Sequence, residues 1–155
     1  MELSEVYLKL GEGGFGQLIR SISIGKLKTY QLYDAFKASG RLTKLNTEIL
    51  DKHIPGFWAR LGEHDEQFAK DLAQTVLVSH LDMIAAVLDF LGVPHEGGFF
   101  NKDVNAKSYL TEGWAERTFE RFSTVYPAPV LLFYINHLSW ELTDQAEPFV
   151  PASAA

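Results

Sequence analysis

Between residues 65 and 91 one apolar stripe recurs at helical spacing: Ala73, Val76, Leu77, His80, Ile84, Val87, Leu88 and Leu91 lie on it, while Lys70, Asp71, Gln74, Asp82 and Asp89 lie off it. A strand would scatter these residues over both faces. The stripe therefore commits the stretch to helix and demands other helices to cover it. Gly92 and Pro94 end the pattern. The run is long for a globular helix, and Ser79 with Asp82 three positions on has the spacing of a capping box. It reads as one long central helix or a kinked helix pair.

The same period recurs along the rest of the chain. Phe15, Leu18, Ile19 and Ile22 follow it, and Leu32, Ala35, Phe36 and Ser39 do so less strictly before Gly40, which supplies a stop. Asn46 is placed to cap a short helix through Lys52, and Pro55 to open another containing Phe57, Trp58 and Leu61. A helix over about 111–125 presents Trp114, Thr118, Phe119, Phe122 and Val125 on one side and Glu112, Glu116 and Glu120 on the other. Pro127 and Pro129 separate it from a C-terminal helix over about 130–142 that is apolar around most of its circumference. Near the start, Glu5 to Leu10 fits a strand and a helix equally. The expected fold is all-α: a single compact, bundle-like domain of about six to eight helices over residues 1–145. Residues 146–155, with two prolines and small side chains, read as a disordered tail.

Composition excludes several classes. With no cysteine among its 155 residues the chain has no disulfides, thiolate metal sites or thiol nucleophile. Its acidic opening, Met1-Glu2-Leu3-Ser4-Glu5, is unlike a secretory leader, and the apolar run from Ala128 to Ile135 is far short of a membrane span. A cytoplasmic protein without membrane contact is expected.

The string Gly11-Glu12-Gly13-Gly14-Phe15-Gly16 resembles the glycine-rich phosphate loop of protein kinases, but the match ends after six residues. The Val-Ala-x-Lys, His-Arg-Asp and Asp-Phe-Gly motifs that such chemistry needs do not occur. The string reads as a flexible turn before a helix starting near Phe15, with a generic anion site at that helix end as the alternative. Gly25-Lys26 lacks the earlier glycine of a P-loop.

Histidines stand at 53, 64, 80, 95 and 137, never three or four apart, and no Glu-x-x-His occurs, so paired helical metal ligands are not expected. His137 and Glu141 share a face four apart, the spacing of a charge pair or of half a metal site. His80 lies within the apolar stripe, as a core histidine or as a general base in a pocket. The loop 92–103 places His95 and Glu96 beside Gly97-Gly98 and then Phe99-Phe100, and ionisable groups beside aromatics in a loop mark a binding site. The candidate ligand-binding set is thus His80, His95, Glu96, Phe99, Phe100 and His137. No catalytic triad, metal site or cofactor is assigned.

The formal charge of −6 is uneven: residues 1–60 carry nine basic and six acidic side chains, and residues 61–155 five and fourteen. The segment from Arg20 to Lys44, with Tyr30, Tyr33 and Phe36 among its cations, has the composition of a weak nucleic-acid surface, but the acidic remainder opposes a polyanion and nucleic acid is not the expected partner. Unlike charges on one chain suit protein contact better. The first reading is a non-enzymatic helical protein acting through protein contacts, with a homodimer as the expected state. The second is a small-molecule-binding protein or enzyme with its pocket near the 92–103 loop.

Overall fold

The computed structural model describes residues 1–152. Among them are nine α-helices and one 3-10 turn, and the fold is all-helical, as the periodicity predicts. The chain forms two compact units, residues 2–79 and residue 1 together with the residues from His80 onward.

In residues 2–79 the helices are α1 (Leu3–Leu8), α2 (Gly11–Arg20), α3 (Ile24–Thr29), α4 (Tyr33–Gly40), α5 (Thr47–Gly62) and α6 (Glu66–Ser79). Helix α5 packs against α1, α2 and α6, burying Leu50, Ile54, Phe57 and Leu61 from one face. Phe57 meets Phe36 edge-on and Phe68 at a tilt, which ties α4, α5 and α6 into one aromatic core. The Tyr7 hydroxyl donates to the Ala69 carbonyl over 2.8 Å, and Asp65 caps α6 by accepting the Phe68 N–H over 3.1 Å. That backbone bond, with the neighbouring Arg60 guanidinium, holds the Asp65 carboxyl below the ordinary aspartate range.

Local signals place several boundaries here differently from the structure. Asn46 does cap a helix, accepting the Ile49 N–H over 2.9 Å, but that helix continues through Pro55 to Gly62 instead of dividing into two. Pro55 removes the hydrogen bond that the Asp51 carbonyl would accept, a cost outweighed by the buried face. The glycine string is helical: α2 begins at Gly11, whose φ is +74°. At the end of α4 the left-handed residue is Arg41, while Gly40 closes the helix in the buried space beside Leu42 and Phe57.

The second unit contains α7 (Leu81–Leu91), a 3-10 turn (Ala106–Tyr109), α8 (Trp114–Phe122) and α9 (Ala128–Leu142). The long stripe is the pair, not the single rod. Helix α6 stops at Ser79, His80 leaves helical geometry at φ −129° and ψ 35°, and α7 starts at Leu81. Ser79 does not act as a capping-box residue: its hydroxyl donates to the Thr75 carbonyl over 2.7 Å and accepts the Ser23 N–H over 2.9 Å. Helix α7 ends at left-handed Gly92, where the Gly92 and Val93 amides bond to Asp89 and Leu88 in a Schellman motif.

Helix α9 packs against α8 and is buried around most of its circumference, through Val130, Leu131, Phe133, Tyr134, Ile135 and Leu138 together with polar Asn136, His137 and Ser139. Within the segment whose composition predicts a disordered tail, Phe149 bonds to Asn136 through its main chain. The last three residues of that predicted tail, 153–155, lie outside the described residues. Among the described residues no single helix is long and apolar enough to cross a membrane.

Candidate functional site

After the Schellman turn the chain forms a tight hairpin. Glu96 and Phe99 exchange both main-chain hydrogen bonds, at 2.7 and 3.0 Å, across Gly97 and Gly98. Both glycines have positive φ, +57° and +97°, the requirement of a type I′ turn. Gly98 is needed twice over, because a Cβ there would lie 3.1 Å from the Leu81 carbonyl oxygen.

His95 fastens this hairpin to α7. The Gly98 N–H donates to Nδ1 over 3.0 Å, so the ring proton sits on Nε2, which donates to Asp89 Oδ1 over 2.6 Å. The side chain is only 10% exposed and both nitrogens are engaged. His95 thus holds the loop in shape and has no free nitrogen with which to take a proton from a ligand.

Beside the hairpin lies a cleft of about 520 Å³. His95, Glu96, Phe99 and Phe100 line it with Pro94, Asn101 and Val104. Four of the six residues singled out by sequence thus come together. The Phe99 side chain is 50% exposed, and Glu96 is the one carboxylate among the lining residues. The two adjacent phenylalanines do not both anchor the loop.

His80 and His137 are not among the residues that line this cleft. His80 sits at the junction of α6 and α7, where burial lowers its pKa. His137 is 8% exposed within α9, between the rings of Phe133 and Trp140, and burial lowers its pKa to about 4. Its Nδ1 lies 3.7 Å from Glu141 Oε2, whose carboxyl burial shifts upward. Since burial disfavours the charged form of both groups, their four-residue spacing does not make a strong ion pair.

One constellation has no signature in local spacing. Glu2, His64 and Glu66 offer donor atoms within 4.8 Å of one another, the kind of set that can hold a cation. His64 Nδ1 lies 2.8 Å from Glu2 Oε2 and 3.2 Å from Ser4 Oγ, the Ser4 N–H donates to Glu66 Oε1, and Glu66 Oε2 is buried without a hydrogen-bond partner. Only the tertiary fold brings Glu2 to the start of α6, sixty-odd residues away. A second, smaller cleft of about 200 Å³ lies among Leu32, Phe36, Asp71 and Thr75.

The structural boundary also reassigns the charge. Residues 2–79 hold ten basic and ten acidic side chains, whereas residues 80–155 hold four and ten. The whole −6 belongs to the unit that carries the hairpin and its cleft.

Compared with protein-family models, curated proteins and solved structures, the chain matches none.

Proposed function

We propose that the protein acts by binding polypeptide, its own chain included, and that the cleft beside the 96–99 hairpin is the contact site. The observation that carries this reading is a half-exposed aromatic, Phe99, held on a rigid type I′ turn beside a cleft whose one charged liner is acidic. Rigid exposed aromatics are favoured anchors of protein interfaces because they bury much area at little entropic cost. The net negative charge of the same unit favours a cationic partner segment. A basic stretch is present in the chain itself, where Arg41 and Lys44 are exposed. Engagement of both His95 nitrogens supports binding over acid–base chemistry.

Light scattering across a concentration series tests the proposal. Association is expected to weaken about tenfold with Phe99→Ser and with Glu96→Lys, and to recover in part when Glu96→Lys is combined with Arg41→Glu and Lys44→Glu. A chain that stays monomeric throughout, or one whose association ignores all of these changes, refutes it. A small-molecule reading keeps one specific support, the cleft volume of about 520 Å³, which lies within the range of ligand pockets.

A further inference from the structure

Asn136 stands near the middle of α9, 2% exposed, in a helix whose other buried positions are mostly apolar. Its side-chain amide is spent on the main chain of one residue. The Phe149 N–H donates to Oδ1 over 2.6 Å, and Nδ2 donates to the Phe149 carbonyl over 3.1 Å. An amide that pairs with both main-chain groups of a residue reads extended backbone, in the manner of an added strand, and is indifferent to which chain supplies it.

The seated segment is suited to such capture. In Glu147-Pro148-Phe149-Val150-Pro151 the two prolines lack N–H groups and hold the backbone extended, so little conformational freedom is lost on docking. Pro151 is buried, while Val150 remains 45% exposed. The segment reaches this position through residues 143–147, which leave α9 and bend back at 146–147. A short connection that reverses a chain onto its own helix is the usual setting for segment exchange, because the same contacts form if the connection opens and a second copy supplies the segment.

We infer that the surface of α9 around Asn136 is a peptide-binding groove for an extended proline-flanked segment, and that residues 147–151 of a second copy occupy it when the chain self-associates. This rests on the self-association proposed above, but uses a different surface from the hairpin cleft.

The test uses full chains. Phe149→Pro removes the donated N–H and empties the groove of its resident segment while leaving Asn136 in place. In an isotopically labelled Phe149→Pro chain, the Asn136 side-chain amide signals are expected to move to their wild-type positions when an unlabelled donor chain with Phe149 intact is added. Unlabelled Phe149→Pro chain should cause no shift, and a synthetic peptide of residues 145–152 should reproduce it. The unlabelled donor also carries Phe99→Ser, so loss of cleft binding does not abolish the readout. If Phe149→Pro fails to fold, a Phe149→Gly receiver gives the same readout with a weakened resident segment. No shift with donor chain in excess overturns the inference. A shift with the peptide but none with the donor chain also overturns it, because the second copy is then not the occupant. Association that responds to Phe99→Ser with no such shift leaves the cleft proposal standing by itself.

Discussion

His95 lies between Asp89 and the turn at Gly98, donating from Nε2 to the carboxylate over 2.6 Å and accepting the Gly98 amide at Nδ1 over 3.0 Å. A single side chain thus couples the last turn of α7 to the hairpin that walls the cleft. The geometry of that hairpin depends on two glycines that look equivalent in sequence and are not.

Gly97 at φ +57° has open space around its missing Cβ, whereas Gly98 at φ +97° would place a Cβ 3.1 Å from the Leu81 carbonyl oxygen. Gly97→Ala is expected to cost about 1 kcal/mol, the usual penalty of left-handed backbone. Gly98→Ala should cost more, about 2–3 kcal/mol, because strain and steric conflict add. Urea denaturation of the two variants measures the difference, and equal losses would show that the turn does not rest on α7 as described.

Burial of His137 has a signed consequence for acid stability. Its folded pKa, lowered to about 4, lies below the ordinary histidine value of 6.5, so between those values the unfolded chain binds a proton that the folded chain refuses. Stability therefore falls as pH drops from about 6.5 to about 4 and levels off below, by at most about 3 kcal/mol from this residue. His80, also lowered by burial, adds a contribution of the same sign, while the raised Glu141 opposes it as its carboxyl takes up a proton. His137→Gln should flatten the stability profile in this window. A profile identical to wild type would mean that His137 is protonated in the fold.

Pro55 interrupts the hydrogen-bond ladder of a helix that the buried face of Leu50, Ile54, Phe57 and Leu61 holds together. Pro55→Ala is expected to raise stability by about 1 kcal/mol: the restored bond and higher helix propensity exceed the loss of a rigid residue from the unfolded chain. The melting temperature reports it, and a fall would mean that the proline ring itself makes an essential contact.

Period carried the helical reading because apolar stripes at 3.6 residues are properties of adjacent sequence. The stripe at 73–91, the Asn46 cap and the apolar 130–142 segment were legible for that reason, and the 92–103 loop was legible as a stretch rich in site-like residues, though not the hairpin that Gly97 and Gly98 form within it. Where a helix stops was less legible. Ser79 looks like a cap, but it is occupied by Ser23 far upstream, and Pro55 looks like a start, but tertiary burial carries α5 through it.

The sequence by itself determined an all-helical, cysteine-free chain with its net charge concentrated late and its candidate cleft residues grouped in one loop. Tertiary structure alone decided that His80 and His137 do not line that cleft, that Glu2 joins His64 and Glu66, and that the main chain of Phe149 satisfies a buried Asn136. It also moved the charge boundary from residue 60 to residue 79, since Glu63, Asp65, Glu66 and Asp71 belong with the basic helices before them. The physical reason is common to all four. Helical periodicity is written in neighbours a few positions apart, whereas a site is made by side chains whose separation in sequence carries no trace of their distance in space.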